Sequence, residues 1–354
     1  MDVGRLALLP TLLEDVCMIA LAAALMLGSP IASQADPPLR VTIDSTQHTV
    51  TLSAGPFTIA GAHHDAGGGG GHMHGGEELP LLPFEMPIDG WLRGVRMTLH
   101  DNEGRPLDRR LVHHVNVINF ARRQLFYPAV ERTLALGQET EDIRLPATVG
   151  IPVSSGMPMA LILAWHNTDH SAVEGVTVEL VIEYLPQNQN PRPVSVLPSY
   201  MDVVDPVAKP VDFDLPAGVQ RFTAEHKMPI NARIIGVGGH MHDYATGLTL
   251  EELRDGDPRN LVSLKVRTTP EGALEQVERQ LPGVRGRGIK LSEGKTYRVT
   301  GVYNNPTGET LAKGAMVHLV MLVAPDKLED WPEASPDNRD LQRDVEWLQS
   351  RGKE

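Results

Sequence analysis

The stretch Glu174-Gly175-Val176-Thr177-Val178-Glu179-Leu180-Val181-Ile182-Glu183-Tyr184-Leu185 decides how the rest of the chain is read. Val176, Val178, Leu180, Ile182 and Tyr184 fall on one face and Thr177, Glu179 and Glu183 on the other, the period-two alternation of a half-buried β-strand. Short apolar runs recur at 92–100, 111–120, 158–166, 219–227, 231–240, 261–267, 296–304 and 316–324. Turn-forming groups such as Asn102-Glu103-Gly104 and Asp255-Gly256-Asp257-Pro258 separate them. Many evenly spaced strands without helices between them predict an all-β chain built of antiparallel sandwiches.

At about 150 residues per domain, 354 residues suggest two. The polar segment Gln187-Asn188-Gln189-Asn190-Pro191-Arg192-Pro193 is the best linker, so the boundary is expected near 186–199, dividing a domain at 36–190 from one at 191–326. In the remaining tail, 327–354, Leu341, Val345 and Leu348 lie at i, i+4 and i+7 behind Ser335-Pro336-Asp337, which predicts one short C-terminal helix.

Charge excludes one class of partner. The chain carries 32 Lys and Arg against 45 Asp and Glu, a net charge of -13, so the phosphate backbone of nucleic acid finds nothing to bind. No HExxH, P-loop or GxSxG occurs, which leaves the common hydrolase and nucleotide-dependent chemistries without support.

Residues 1–35 have the pattern of a secretory signal peptide. The apolar run Val16 to Leu27 precedes Gly28 and Pro30 and then Ser33-Gln34-Ala35, a small-x-small cleavage site. The run is shorter than the about 20 residues a membrane span needs, so a secreted or periplasmic protein without a stable membrane span is expected. Cleavage would remove Cys17, the only cysteine. Thiol catalysis, disulfides, Cys-ligated zinc and iron–sulfur clusters would go with it.

The histidines carry the chemistry. Of 14, ten fall in groups: His63-His64 with His72-Met73-His74, then His113-His114, then His166 and His170, then His240-Met241-His242; His318 follows Met316 by two. Residues i and i+2 of a strand share a face, so His240 and His242 can converge on one metal or simply be two polar residues on a strand. Adjacent His113 and His114 should point to opposite faces, so joint ligation there needs a bulge or a strand end. His166 ends the run Leu161-Ile162-Leu163-Ala164-Trp165 and could equally be a core histidine, as Met316 could be a core methionine. The Gly/His-rich loop 61–76, with His63, His64, His72 and His74 around five consecutive glycines, is either an accessory copper or zinc site or a surface loop.

Taken together, HH, then H after 52 residues, then HxH after 74, then Met after another 74, the set resembles the copper type II ascorbate-dependent monooxygenases, the family of peptidylglycine α-hydroxylating monooxygenase and dopamine β-monooxygenase. The resemblance runs from about Leu111 to Pro325. It implies two tandem jelly-roll-like sandwiches with two copper ions: an electron-transfer copper on His113, His114 and His166, and a catalytic copper on His240, His242 and Met316. Ascorbate or a similar one-electron reductant would reduce both, and O2 would hydroxylate an activated C–H bond of an unknown small-molecule or peptide substrate. Imidazole suits copper and a thioether selects Cu(I), so the donor types agree with the metal. Asp243, Asp169 and Asn167 are candidates, by sequence proximity, to orient the imidazoles.

Two departures bear on function. The animal members are held by disulfides and this chain would have none, as expected of a bacterial-type relative. In the peptide-amidating branch, an Arg two residues before HxH, an Asn two after the ligand Met and a Tyr four after it hold the substrate carboxylate; here these are Gly238, His318 and Val320. A glycine-extended peptide is therefore not the expected substrate. His318 could bind copper, orient substrate or pack. A copper-binding or copper-delivery protein without hydroxylase activity is the alternative on the same fold, and a sandwich protein without metal, its histidines scattered, is a third reading.

Overall fold

Alternation alone organises the first half of the chain. The computed structural model describes residues 39–61, 81–137, 142–167, 169–283, 287–334, 343–346 and 348. The strands are, in order, β1 (Leu39–Asp44), β2 (Thr49–Ile59), β3 (Leu81–Glu85), β4 (Gly90–His100), β5 (Val112–Arg123), β6 (Val130–Gly137), β7 (Ile143–Arg144), β8 (Val149–Val153), β9 (Pro158–Trp165), β10 (Val173–Pro186) and β11 (Val194–Ser195). The second half adds β12 (Leu197–Asp202), β13 (Phe213–Leu215), β14 (Gly218–Lys227), β15 (Ala232–Met241), β16 (Ala245–Glu252), β17 (Arg259–Thr268), β18 (Leu274–Val277), β19 (Ile289–Leu291), β20 (Thr296–Asn305), β21 (Leu311–Ala315) and β22 (Val317–Pro325). Each of the nine apolar runs in the sequence forms a strand, including the alternating stretch, which is β10.

In the first half, a seven-stranded sheet in the order β1-β2-β10-β4-β8-β11, with β7 on β4, faces a four-stranded sheet β3-β9-β5-β6. One core joins them. Val50, Leu52, Val178, Leu180, Ile182, Val95 and Met97 come from the first sheet and Val115, Val117, Leu161 and Leu163 from the second. Burying such side chains stabilises by roughly 1.5–3 kcal/mol each, and the alternation leaves Glu179 and Glu183 on the outer face.

From Leu197 onward the strands pair only with one another among the described residues, in the orders β12-β22-β15-β19, β14-β20-β16-β17-β18 and β13-β21. Pairing thus changes partners between Ser195 and Leu197. Gly301 on β20 leaves the space that the opposite sheet fills. A Cβ there would lie 2.3 Å from Val317 Cγ2 and 3.1 Å from Met241 Cε. All these pairings are antiparallel except the short β8–β11 contact.

The halves meet at the β5–β6 hairpin. Tyr127 stacks on Tyr200 of β12 with ring centroids 5.4 Å apart, and the Asp202 N–H donates to the Tyr127 hydroxyl at 2.8 Å. Beyond β22 the chain returns to the first half. The Trp331 indole N–H donates to the Arg123 carbonyl at 3.1 Å, and the Arg123 guanidinium makes a buried pair with Asp344, Nη2 to Oδ1 at 2.9 Å. The expected C-terminal helix is present as a helical turn at 343–346, whose Val345 packs with Leu348 on the outer face of β5 and β9. Pro37–Glu354 form one compact unit. Among the described residues no helix is long and apolar enough to cross a membrane. Residues 1–35, expected from the sequence to be a signal peptide, and the histidines of the Gly/His-rich loop lie outside the described residues.

Candidate functional site

A bulge brings the first histidines together. Against β9, Val112 pairs with Trp165 and His114 with Ala164, so two steps on β5 face one on β9 and His113 is the extra residue. A bulged residue turns its side chain out of the pleat. The rings of His113 and His114 therefore lie 4.8 Å apart rather than on opposite faces. His166 follows β9 directly, and its N–H donates to the Leu111 carbonyl at 2.8 Å, which sets its ring 6.2 Å from that of His113. All three side chains are half-buried, and the Nδ1 atoms of His113 and His114 are buried.

Tyr303 assembles the second group. Its ring is fully buried, and its hydroxyl accepts the N–H of His242 at 3.1 Å and of Met316 at 3.2 Å while donating to the Met316 carbonyl. Burial among apolar neighbours pushes this phenol up to about 12, so it stays a neutral donor. The rings of His240 and His242 stand 5.7 Å apart. Met316 sits between β21 and β22, directly before Val317, and is half-buried, its backbone held at the level of His242 by one side chain from β20.

His318 is buried, at 5% exposure. Its Nδ1–H donates to Asp202 Oδ1 at 2.5 Å, and its ring lies 4.7 Å from Tyr200. Burial pushes the imidazole below its ordinary range, and Asp202 opposes this without overcoming it. The Arg132 guanidinium sits 5.3 Å over the Tyr200 ring.

Two of the side chains expected to orient the imidazoles, Asp243 and Asn167, bond backbone groups of nearby loops. Asp243 Oδ1 accepts the Leu274 N–H at 2.8 Å; the Asn167 amide donates to the carbonyls of Ala60 and Ser171, and its Oδ1 accepts the Asp169 N–H. Short polar side chains beside a turn satisfy nearby backbone first, so these residues shape the loops next to the histidines. Asp202, Tyr200 and Tyr303 stand at the second group as well, and no local pattern in the sequence marks them.

Among the described residues no three His, Cys, Asp or Glu side chains are grouped as a ready metal cage. The donors themselves fit copper: three imidazoles in one group, two imidazoles with a thioether in the other, and no thiolate in either.

No family model matches the chain, and no curated protein does. Among solved structures the chain is similar to the infectious bursal disease virus VP2 subviral particle, at 12% identity over 97% of this chain and 95% of that one, with a TM-score of 0.12, a likeness too slight to carry an argument.

Proposed function

We propose that this chain is a secreted or periplasmic copper-dependent monooxygenase of the copper type II, ascorbate-dependent kind. It would hydroxylate an activated C–H bond with O2 and an ascorbate-like reductant. His113, His114 and His166 would hold one copper, and His240, His242 and Met316 the other. Bound there, copper supplies the one-electron steps and the activation of O2.

The observation that supports this reading is the Tyr303 hydroxyl, which fastens His242 to Met316, residues 74 apart in the chain. The protein's own part is positioning. The bulge at His113 gathers imidazoles that an unbroken strand would separate, and Tyr303 fixes the backbone of a soft thioether donor beside that of an imidazole. The thioether favours Cu(I), while the imidazoles accept either oxidation state.

The alternative, a copper-binding or copper-delivery protein, is favoured by one observation. At the positions that anchor a peptide carboxylate in the amidating branch stand Gly238, Val320 and a His318 already engaged by Asp202. Copper stoichiometry and ascorbate-driven O2 consumption with a panel of C–H substrates separate the two. Two tightly held coppers, one lost in His166→Ala and Cu(I) affinity lost in Met316→Ala, with substrate-dependent O2 uptake, are expected. Copper without substrate-dependent uptake leaves the delivery protein. Copper binding unchanged in both variants overturns both readings.

A further inference from the structure

Three side chains form a row across the second half's four-stranded sheet. Asp202 on β12 is the register partner of His318 on β22, and His318 is the register partner of His240 on β15. Directly opposed residues on antiparallel neighbours project from the same face with Cβ atoms about 5 Å apart. Alternation puts Met316 on the face of His318, and the His242 ring is 5.7 Å from that of His240. His318 is thus the cross-strand neighbour of His240 on the sheet face that also carries Met316.

Its orientation is fixed by its partner. With Nδ1–H given to the carboxylate, the tautomer leaves the lone pair on Nε2, the arrangement in which proteins hold a metal-ligating imidazole. Asp202 is itself gripped at its backbone, its N–H by Tyr127 and its carbonyl by His226 Nε2 at 3.0 Å. Its other carboxylate oxygen, Oδ2, is buried and receives no hydrogen bond. A buried carboxylate with so few partners is costly, and a cation on the far nitrogen of His318 would offset that cost.

We propose that His318 is a third imidazole ligand of the second metal site and that Asp202 is its positioning residue. This rests on the reading of His240, His242 and Met316 as a copper site.

The test uses copper alone, in protein carrying His113→Ala and His114→Ala so that the second site reports, with loosely held metal removed by a weak chelator. Pulsed EPR of the Cu(II) form counts coupled imidazoles, and competition with a chromophoric chelator gives Cu(I) affinity. Three imidazoles are expected, falling to two in His318→Ala and in His318→Gln. Asp202→Asn should weaken Cu(I) by about 10- to 100-fold, with His318→Ala weaker still. Two imidazoles with His318 intact overturn the assignment of His318, as does unchanged Cu(I) affinity in His318→Gln when His240→Ala abolishes binding; the copper site itself then stands. Copper binding indifferent to His240→Ala overturns both. The count before substitution does not depend on any His318 variant folding.

Discussion

The Tyr303 hydroxyl grips the Met316 peptide at both ends, accepting its N–H and donating to its carbonyl. The same oxygen accepts the His242 N–H, so one group uses its donor and both acceptor sites. Tyr303→Phe would leave these part-buried backbone groups without their partner, at about 1 kcal/mol or more. Urea unfolding should show that loss and, on the copper reading proposed above, Cu(I) affinity should fall with it; wild-type values of both would show that the hydroxyl does not organise the site.

Gly301 offers a second check on the same scaffold. An alanine methyl would meet Val317 Cγ2 at 2.3 Å, and overpacking a core costs about 1–3 kcal/mol. Because Val317 lies between Met316 and His318, Gly301→Ala should, on the copper reading proposed above, perturb metal binding at the second group while leaving that at the first unchanged, as site-resolved EPR of copper-loaded protein would report.

The Arg123–Asp344 pair fastens the C-terminal segment to β5. Removing one partner strands a buried charge, at about 3–5 kcal/mol. Asp344→Ala should destabilise and expose the segment after Trp331 to proteases, whereas Arg123→Met combined with Asp344→Leu should recover most of the stability. Equal protease resistance in Asp344→Ala and wild type would count against the clasp.

Acid should weaken the fold through His226. Burial holds this imidazole below its ordinary value of 6.5, against the pull of Asp202 and Asp205. The folded state then binds fewer protons than the unfolded chain, so its stability is full above the unfolded value and declines as pH falls through 6.5 towards the folded one. His318 acts in the same sense. His226→Gln should therefore reduce, without abolishing, the loss of unfolding free energy between pH 7.5 and 5; an unaltered slope would remove His226 from the account.

The strands were legible because a β-strand's period is local. Val176, Val178, Leu180 and Ile182 announce a buried face whatever they pack against, and β4, β5, β9, β14, β15, β17, β20 and β22 followed from runs of the same kind. The histidines were equally visible as residue types at set intervals, and the i, i+2 relation of His240 and His242 needs no partner strand to state.

What pairs with what was a different matter. Nothing around His113 says that β9 supplies one residue fewer, because a bulge is a property of two strands. Asp202 is 116 residues from His318 and reaches it only because β12 lies beside β22, and Tyr303 meets Met316 only because two sheets close face to face. Apolar alternation by itself determined an all-β chain, and residue type alone supplied the imidazole and thioether donors. Sheet register and sheet-on-sheet packing, which are set by cores formed between distant segments, decided which donors stand together and which buried partners hold them.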